Sequence, residues 1–128
     1  MLNIVVLIGR LTADPAFRYT QAGNAVATFN LAVDRPFKNA QGEGESETDF
    51  IPIVVWGKSA EACANHLAKG RLCAVAGRIQ VRSWEDQQGQ RRYRTEVVAN
   101  NVRFLEWGDR AQGQEEPPPE HNDNDLPF

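Results

Sequence analysis

Apolar and polar positions change period along this chain, and the changes divide it. Over NIVVLIGRLT (3–12), AVATFNLAVDR (25–35) and DFIPIVVWG (49–57) they either alternate or form short apolar runs, which is strand behaviour. In the second of these, Phe29, Leu31 and Val33 share one face. SAEACANHLAKG (59–70) switches to the helical period, with Ala60, Cys63, Ala64 and Leu67 at i, i+3, i+4 and i+7. Ser59 is placed to cap this helix and Gly70 to end it. RLCAVAGRIQVRSW (71–84) returns to strand, DQQGQ (86–90) reads as a hairpin loop, and RRYRTEVVA (91–99) comes back as its partner. NVRFLEW (101–107) is a last extended piece. Three strands, one helix and two strands predict an all-β domain with one helix, laid out as an OB-fold, a five-stranded Greek-key barrel. Gly9 and Gly77 interrupt long strands, where a small barrel needs a bend or a bulge.

Because side chains alternate faces along a strand, parity sorts core from surface. In the third strand Ile51, Ile53 and Val55 form the core set, and Phe50, Val54 and Trp56 the outer one. In the fourth, Val75, Ile79 and Val81 form the core set, opposite Arg78, Gln80, Arg82 and Trp84. The outer sets place aromatics beside positive charge. An aromatic ring stacks on any base without reading its identity, and Lys or Arg neutralises phosphate. A duplex hides its base faces, so such a surface favours single-stranded nucleic acid. Isolated surface aromatics are common and mean little, but the repetition on two strands of an OB layout carries weight.

The first strand is apolar on both faces: Ile4, Val6 and Ile8 on one, Val5, Leu7 and Leu11 on the other. A barrel strand needs one such face, so the second predicts a self-association surface or coverage by the final NVRFLEW segment. The loop PFKNAQGEGESETD (36–49) predicts a flexible arm. Glu43, Glu45, Glu47 and Asp49 lack the dense oxygen spacing of a calcium loop, so no metal is expected there.

Composition alters this picture in one respect. The net charge of −3 has the wrong sign for a nucleic-acid binder. Residues 1–110 nevertheless hold all 14 Lys and Arg against 12 Asp and Glu, while 111–128 hold five acids and no base. The boundary falls near Gly108. Residues 1–108 are expected to form the binding domain and 109–122 a disordered acidic, proline-rich linker, which the PPP run keeps extended. Residues 123–128 form an acidic tip. The two cysteines, Cys63 and Cys73, make no disulfide framework and are expected to be buried and reduced. No run of 18 apolar residues occurs, which predicts no membrane span, and the reduced thiols lead to the expectation of a cytoplasmic protein. No catalytic constellation appears, and neither cofactor nor metal is expected. His66 lies on the helix without a nucleophile near it in sequence, and Ser59 is explained as a cap. A small nuclease and a protein-interaction OB module are the rival classes.

The strings VVLIGRLTADPAFRYT, AVATFNLAVDR, DFIPIVVWGK, LAKG, GRIQVRSWEDQQGQRRYRTEVVANNV and the closing LPF together resemble the bacterial single-stranded DNA-binding proteins, over residues 1–108 and the last six. The resemblance implies that Phe37, Phe50, Trp56 and Trp84 stack on DNA bases. It implies phosphate contacts by Arg18, Lys58, Lys69 and Arg82. Arg10, Arg78, Arg92 and Arg94 join them by position, and Arg35 and Lys38 at the mouth of the loop complete the set. It further implies a homotetramer acting in DNA replication, recombination and repair, with enzymes of those processes docking on the acidic tip. Phe stands at two positions where well-known members carry Trp, and the linker is shorter than usual. The tip itself, Asp123, Asp125, Leu126, Pro127 and Phe128, offers a ring and a terminal carboxylate for capture in a basic-rimmed pocket. Its acids steer toward that rim, and Pro127 lowers the ordering cost.

Overall fold

The computed structural model describes residues 1–36 and 47–106. Phe37, Lys38 and most of the loop lie outside the described residues, as do Trp107, the boundary at Gly108, the linker and the tip. The chain forms β1 (Val5–Leu11), β2 (Ala16–Tyr19), β3 (Ala25–Asp34), β4 (Thr48–Trp56), α1 (Lys58–His66), β5 (Leu72–Glu85) and β6 (Arg91–Phe104). The strand order is β1-β5-β6-β4-β3-β2, and β1 also pairs with β3. Five strands therefore close into a barrel, and β2, not foreseen from the sequence, extends the sheet beyond β3. The β4–β6 pairing is parallel and the others antiparallel. This is the OB-fold expected from the element order.

The inward faces of β3 and β4 follow the predicted parity. Phe29, Leu31, Ile53 and Val55 are buried together, with Val33 and Ile51 packed against them. The helix closes the barrel with Ala60 and Cys63, and Leu67 follows it into the core just past its end. Ser59 does not cap this helix: Gly57 stands at the N-cap position with φ +76°, and no side chain bonds the free amides. Nor does Gly70 end it, since the helix stops at His66. Gly70 instead sits at φ +86° in the following turn, where its N–H donates to the Leu11 carbonyl at 2.8 Å.

Two pieces read as separate strands, 91–99 and 101–107, join in β6 through a bulge. Ala76 faces Asn101 and Gly77 faces Ala99, so Asn100 is the extra residue. It resets the alternation, and Val97 and Ala99 before it point inward like Val102 and Phe104 after it. Gly77 permits this crossing, since a Cβ there would land on the Val98 carbonyl oxygen. Gly9 is equally constrained, against the Ala32 carbonyl, where β1 passes from β5 to β3.

Parity fails at Ile79 and Val81, which are 45% and 57% exposed and not in the core. They keep the orientation of Val75, but the β5–β6 hairpin projects beyond the barrel, where too little of the chain packs beneath them to bury them. On β1, Val5, Leu7 and Leu11 face inward, whereas Ile4, Val6 and Ile8 stay exposed. The described part of the final segment, residues 101–106, does not cover them. Its Phe104 pairs with Cys73 on β5, so it lies beside that strand in the sheet.

Candidate nucleic-acid interface

The outer face of the sheet carries an open groove of about 530 Å³. Its floor comes from Thr28 and Asn30 of β3 and from Pro52, Val54 and Trp56 of β4. Arg18 of β2 lines it on one side, and Gln80, Arg82, Arg94 and Glu96 of the hairpin on the other. Strand alternation creates this arrangement, because the residues between the core positions of five adjacent strands all emerge on one surface.

Three described aromatics stand on that face. Phe50, Trp56 and Trp84 are 65%, 46% and 42% exposed. Phe50 lies two residues before Pro52, on the same face, which ends with Trp56. The Arg82 guanidinium carbon lies 5.5 Å from the centre of the Trp84 ring, a cation–π contact that orients both groups.

The predicted bases separate into two groups. Arg18, Arg82 and Arg94 line the groove. Arg78 is exposed next to it and donates to the Gln80 side chain at 3.2 Å. Lys58 is exposed at the start of the helix. Lys69 is exposed too, and its backbone N–H donates to Asp14, a groove-lining acid, at 2.9 Å. The other three are held by acids elsewhere. Arg10 donates to both Glu106 oxygens and to the Gly70 carbonyl. Arg35 forks onto Asp49 at 2.9 and 3.1 Å and reaches Glu47 at 2.6 Å, clasping the base of the 37–46 loop. The Arg35 hydrogen bond holds the Asp49 carboxyl below its ordinary range. Two of the four acids considered as metal ligands are thus engaged by one guanidinium. Arg92 donates to Asp86 at 2.9 Å inside the hairpin turn. There Asp86 also accepts the N–H groups of Gln88 and Gln90, which lower its pKa together with Arg92, Gln90 most strongly.

One groove residue escaped the sequence reading. Glu96 is buried although charged, and both its oxygens face arginines. The available signal was its parity with Arg92 and Arg94 in RRYRTE, which puts it on the groove face. Away from the groove, His66 packs against Phe104 with ring centres 5.4 Å apart. Among the described residues no cluster of three potential metal ligands occurs, and no helix is long and apolar enough to cross a membrane.

Comparison with known proteins adds an independent finding. Residues 2–105 match the model of the Single-strand binding protein family. The chain is 60% identical over 108 residues to "Single-stranded DNA-binding protein 3" of Clostridium acetobutylicum, covering 84% of this chain and 73% of that one. It is 61% identical over 113 residues to "Single-stranded DNA-binding protein 3" of Listeria innocua, covering 88% and 69%. Among solved structures it resembles "Plasmodium falciparum SSB complex with ssDNA", with a TM-score of 0.75, 32% identity, and coverage of 83% of this chain and 96% of that one.

Proposed function

Because this chain belongs to the single-strand binding protein family, we propose that it binds single-stranded DNA along the groove, without strong sequence preference and without metal, nucleotide or catalysis. The observation that carries the reading is the convergence of Phe50, Trp56 and Trp84 with Arg18, Arg82 and Arg94 on one open face. Bases stack on the rings, each contributing roughly 1–3 kcal/mol, while the guanidinium groups take phosphates. Stacking ignores base identity and requires unpaired bases, so the site favours single strands of any sequence. Phe37 and Lys38, outside the described residues, are assigned to the same DNA as a stacking ring and a phosphate contact.

This role belongs to replication, recombination and repair, in which exposed single strands need cover. The tip, Asp123, Asp125, Leu126, Pro127 and Phe128, recruits enzymes of those processes through a ring-and-charge pocket. Its acids compete weakly with phosphate for the groove, so bound DNA frees the tip. Deleting residues 123–128 leaves DNA affinity equal or slightly raised and removes enzyme capture on DNA-bound protein.

The test is binding of labelled oligothymidine and of a matched duplex at several salt concentrations, with the oligonucleotide recovered afterwards. The expected result is tight single-strand binding, an affinity falling with salt by about −0.7 in log–log slope per phosphate neutralised, and an intact oligonucleotide. Equal affinity for the duplex contradicts the reading, and a shortened oligonucleotide identifies a nuclease instead.

A further inference from the structure

Glu96 stands out within the groove. A carboxylate on a surface that receives phosphate opposes binding unless it serves the cations around it. Its side chain is 5% exposed, against 51% for Arg82 and 49% for Arg94. Glu96 Oε2 accepts from Arg82 Nε at 2.9 Å and Oε1 from Arg82 Nη2 at 3.4 Å, a forked arrangement. The same Oε1 lies 3.4 Å from Arg94 Nε.

The register explains why this acid is needed. Arg82 and Arg94 face each other directly across the β5–β6 ladder, where like charges repel. Glu96 lies two residues from Arg94 on the same face and offers one buried charge to both. Each guanidinium meets it through its Nε edge, which leaves Arg82 Nη1 and the Arg94 Nη donors outside the contact with Glu96. A fork also fixes the plane of the Arg82 group, which in turn lies over Trp84. An arginine held this way loses little side-chain freedom when a phosphate arrives.

We propose that Glu96 is a positioning residue of the groove, holding Arg82 and Arg94 in a preformed phosphate clamp with Arg82 over the Trp84 ring. The inference rests on the groove being the single-stranded DNA site.

The Glu96→Gln substitution keeps shape and removes charge. It weakens oligothymidine binding by roughly three- to tenfold at fixed salt. The log–log salt slope does not become shallower, because both cations remain. Arg82→Ala then weakens binding by a smaller factor in the Glu96→Gln background than in wild type, since the clamp is already loose. Affinity unchanged or raised in Glu96→Gln overturns the proposal. So do a shallower slope and independent effects of the two substitutions. If Glu96→Gln does not fold, arginine side-chain NMR of the wild-type protein decides. The Arg82 Nε–H resonance of DNA-free protein is resolved and slow to exchange, and overlap with solvent-averaged arginines overturns the clamp. Wild-type protein that ignores oligothymidine defeats the groove reading itself, before any substitution is made.

Discussion

Val55 and Trp56 are neighbours in sequence with opposite tasks, because one strand step turns a side chain from the barrel interior to the groove. Trp56→Ala and Trp84→Ala each weaken oligothymidine binding by roughly 1–3 kcal/mol and leave the melting temperature nearly unchanged. Val55→Ala does the reverse, destabilising the fold by about 2 kcal/mol through lost burial and a cavity. Paired titrations and thermal melts of the three variants check this, and loss of fold in Trp56→Ala contradicts it. The two thiols make a second residue-level prediction. Burial pushes Cys63 up to about 12, with the nearby Cys73 adding to it, and burial pushes Cys73 up to about 11. An acid whose folded pKa is raised contributes stability that is full below its unfolded value, about 8.5 for a thiol. That contribution is lost as pH rises through the folded values. Native protein at pH 8 therefore resists thiol reagents until denaturant is added. Its melting temperature falls above about pH 8.5, and less steeply in Cys63→Ala.

At the scale of elements, the β5–β6 hairpin shows what a sequence can and cannot disclose. Its turn is legible because Asp86 and Gly89 are turn residues and the fold uses them so: Gly89 takes φ +82° and Asp86 accepts two turn amides. Those bonds and Arg92 lower the Asp86 pKa, so its contribution is present above the ordinary Asp value, about 3.9, and is lost as pH falls through the lower folded one. Hydrogen-exchange protection of Gln88 and Gln90 should accordingly drop in acid, and the step should vanish in Asp86→Asn. A drop of equal size in that variant assigns the effect elsewhere. The exposure of Ile79 and Val81 was not legible, since alternation reports which face a residue occupies and not how far the core extends beneath it. The bulge at Asn100 looked like a strand break for a related reason: one extra residue ends one alternation and starts another. On the groove face, Phe50, Trp56, Trp84, Arg18, Arg82 and Arg94 could be read from parity and family resemblance. The partners of Arg10 and Arg35 could not, because Glu106 and Asp49 are brought to them by the barrel and the loop, 96 and 14 residues along the chain.

At the scale of the molecule, there is a groove on one side and, on another, an apolar strip that no described residue covers. On that strip Val6 stands opposite Ala76 and Ile8 opposite Ala74, so the large β1 side chains border the small side chains of β5. A second copy is its proposed occupant, and assembly to a tetramer would bring several grooves within reach of one DNA strand, which would multiply avidity. Ile8→Asp should shift sedimentation toward smaller species and weaken binding of long oligothymidine far more than of short. A stable wild-type monomer at micromolar concentration contradicts that assembly. The central claim concerns the groove, and photocrosslinking tests it most directly. Oligothymidine carrying iododeoxyuridine is bound, irradiated, and the attached peptides are sequenced. The account predicts attachment at Trp56, Trp84 or Phe50. Attachment confined to Tyr93 or Val81, on the opposite face of the hairpin, or to the Val6–Ile8 strip of β1, would place the DNA away from the groove and contradict it.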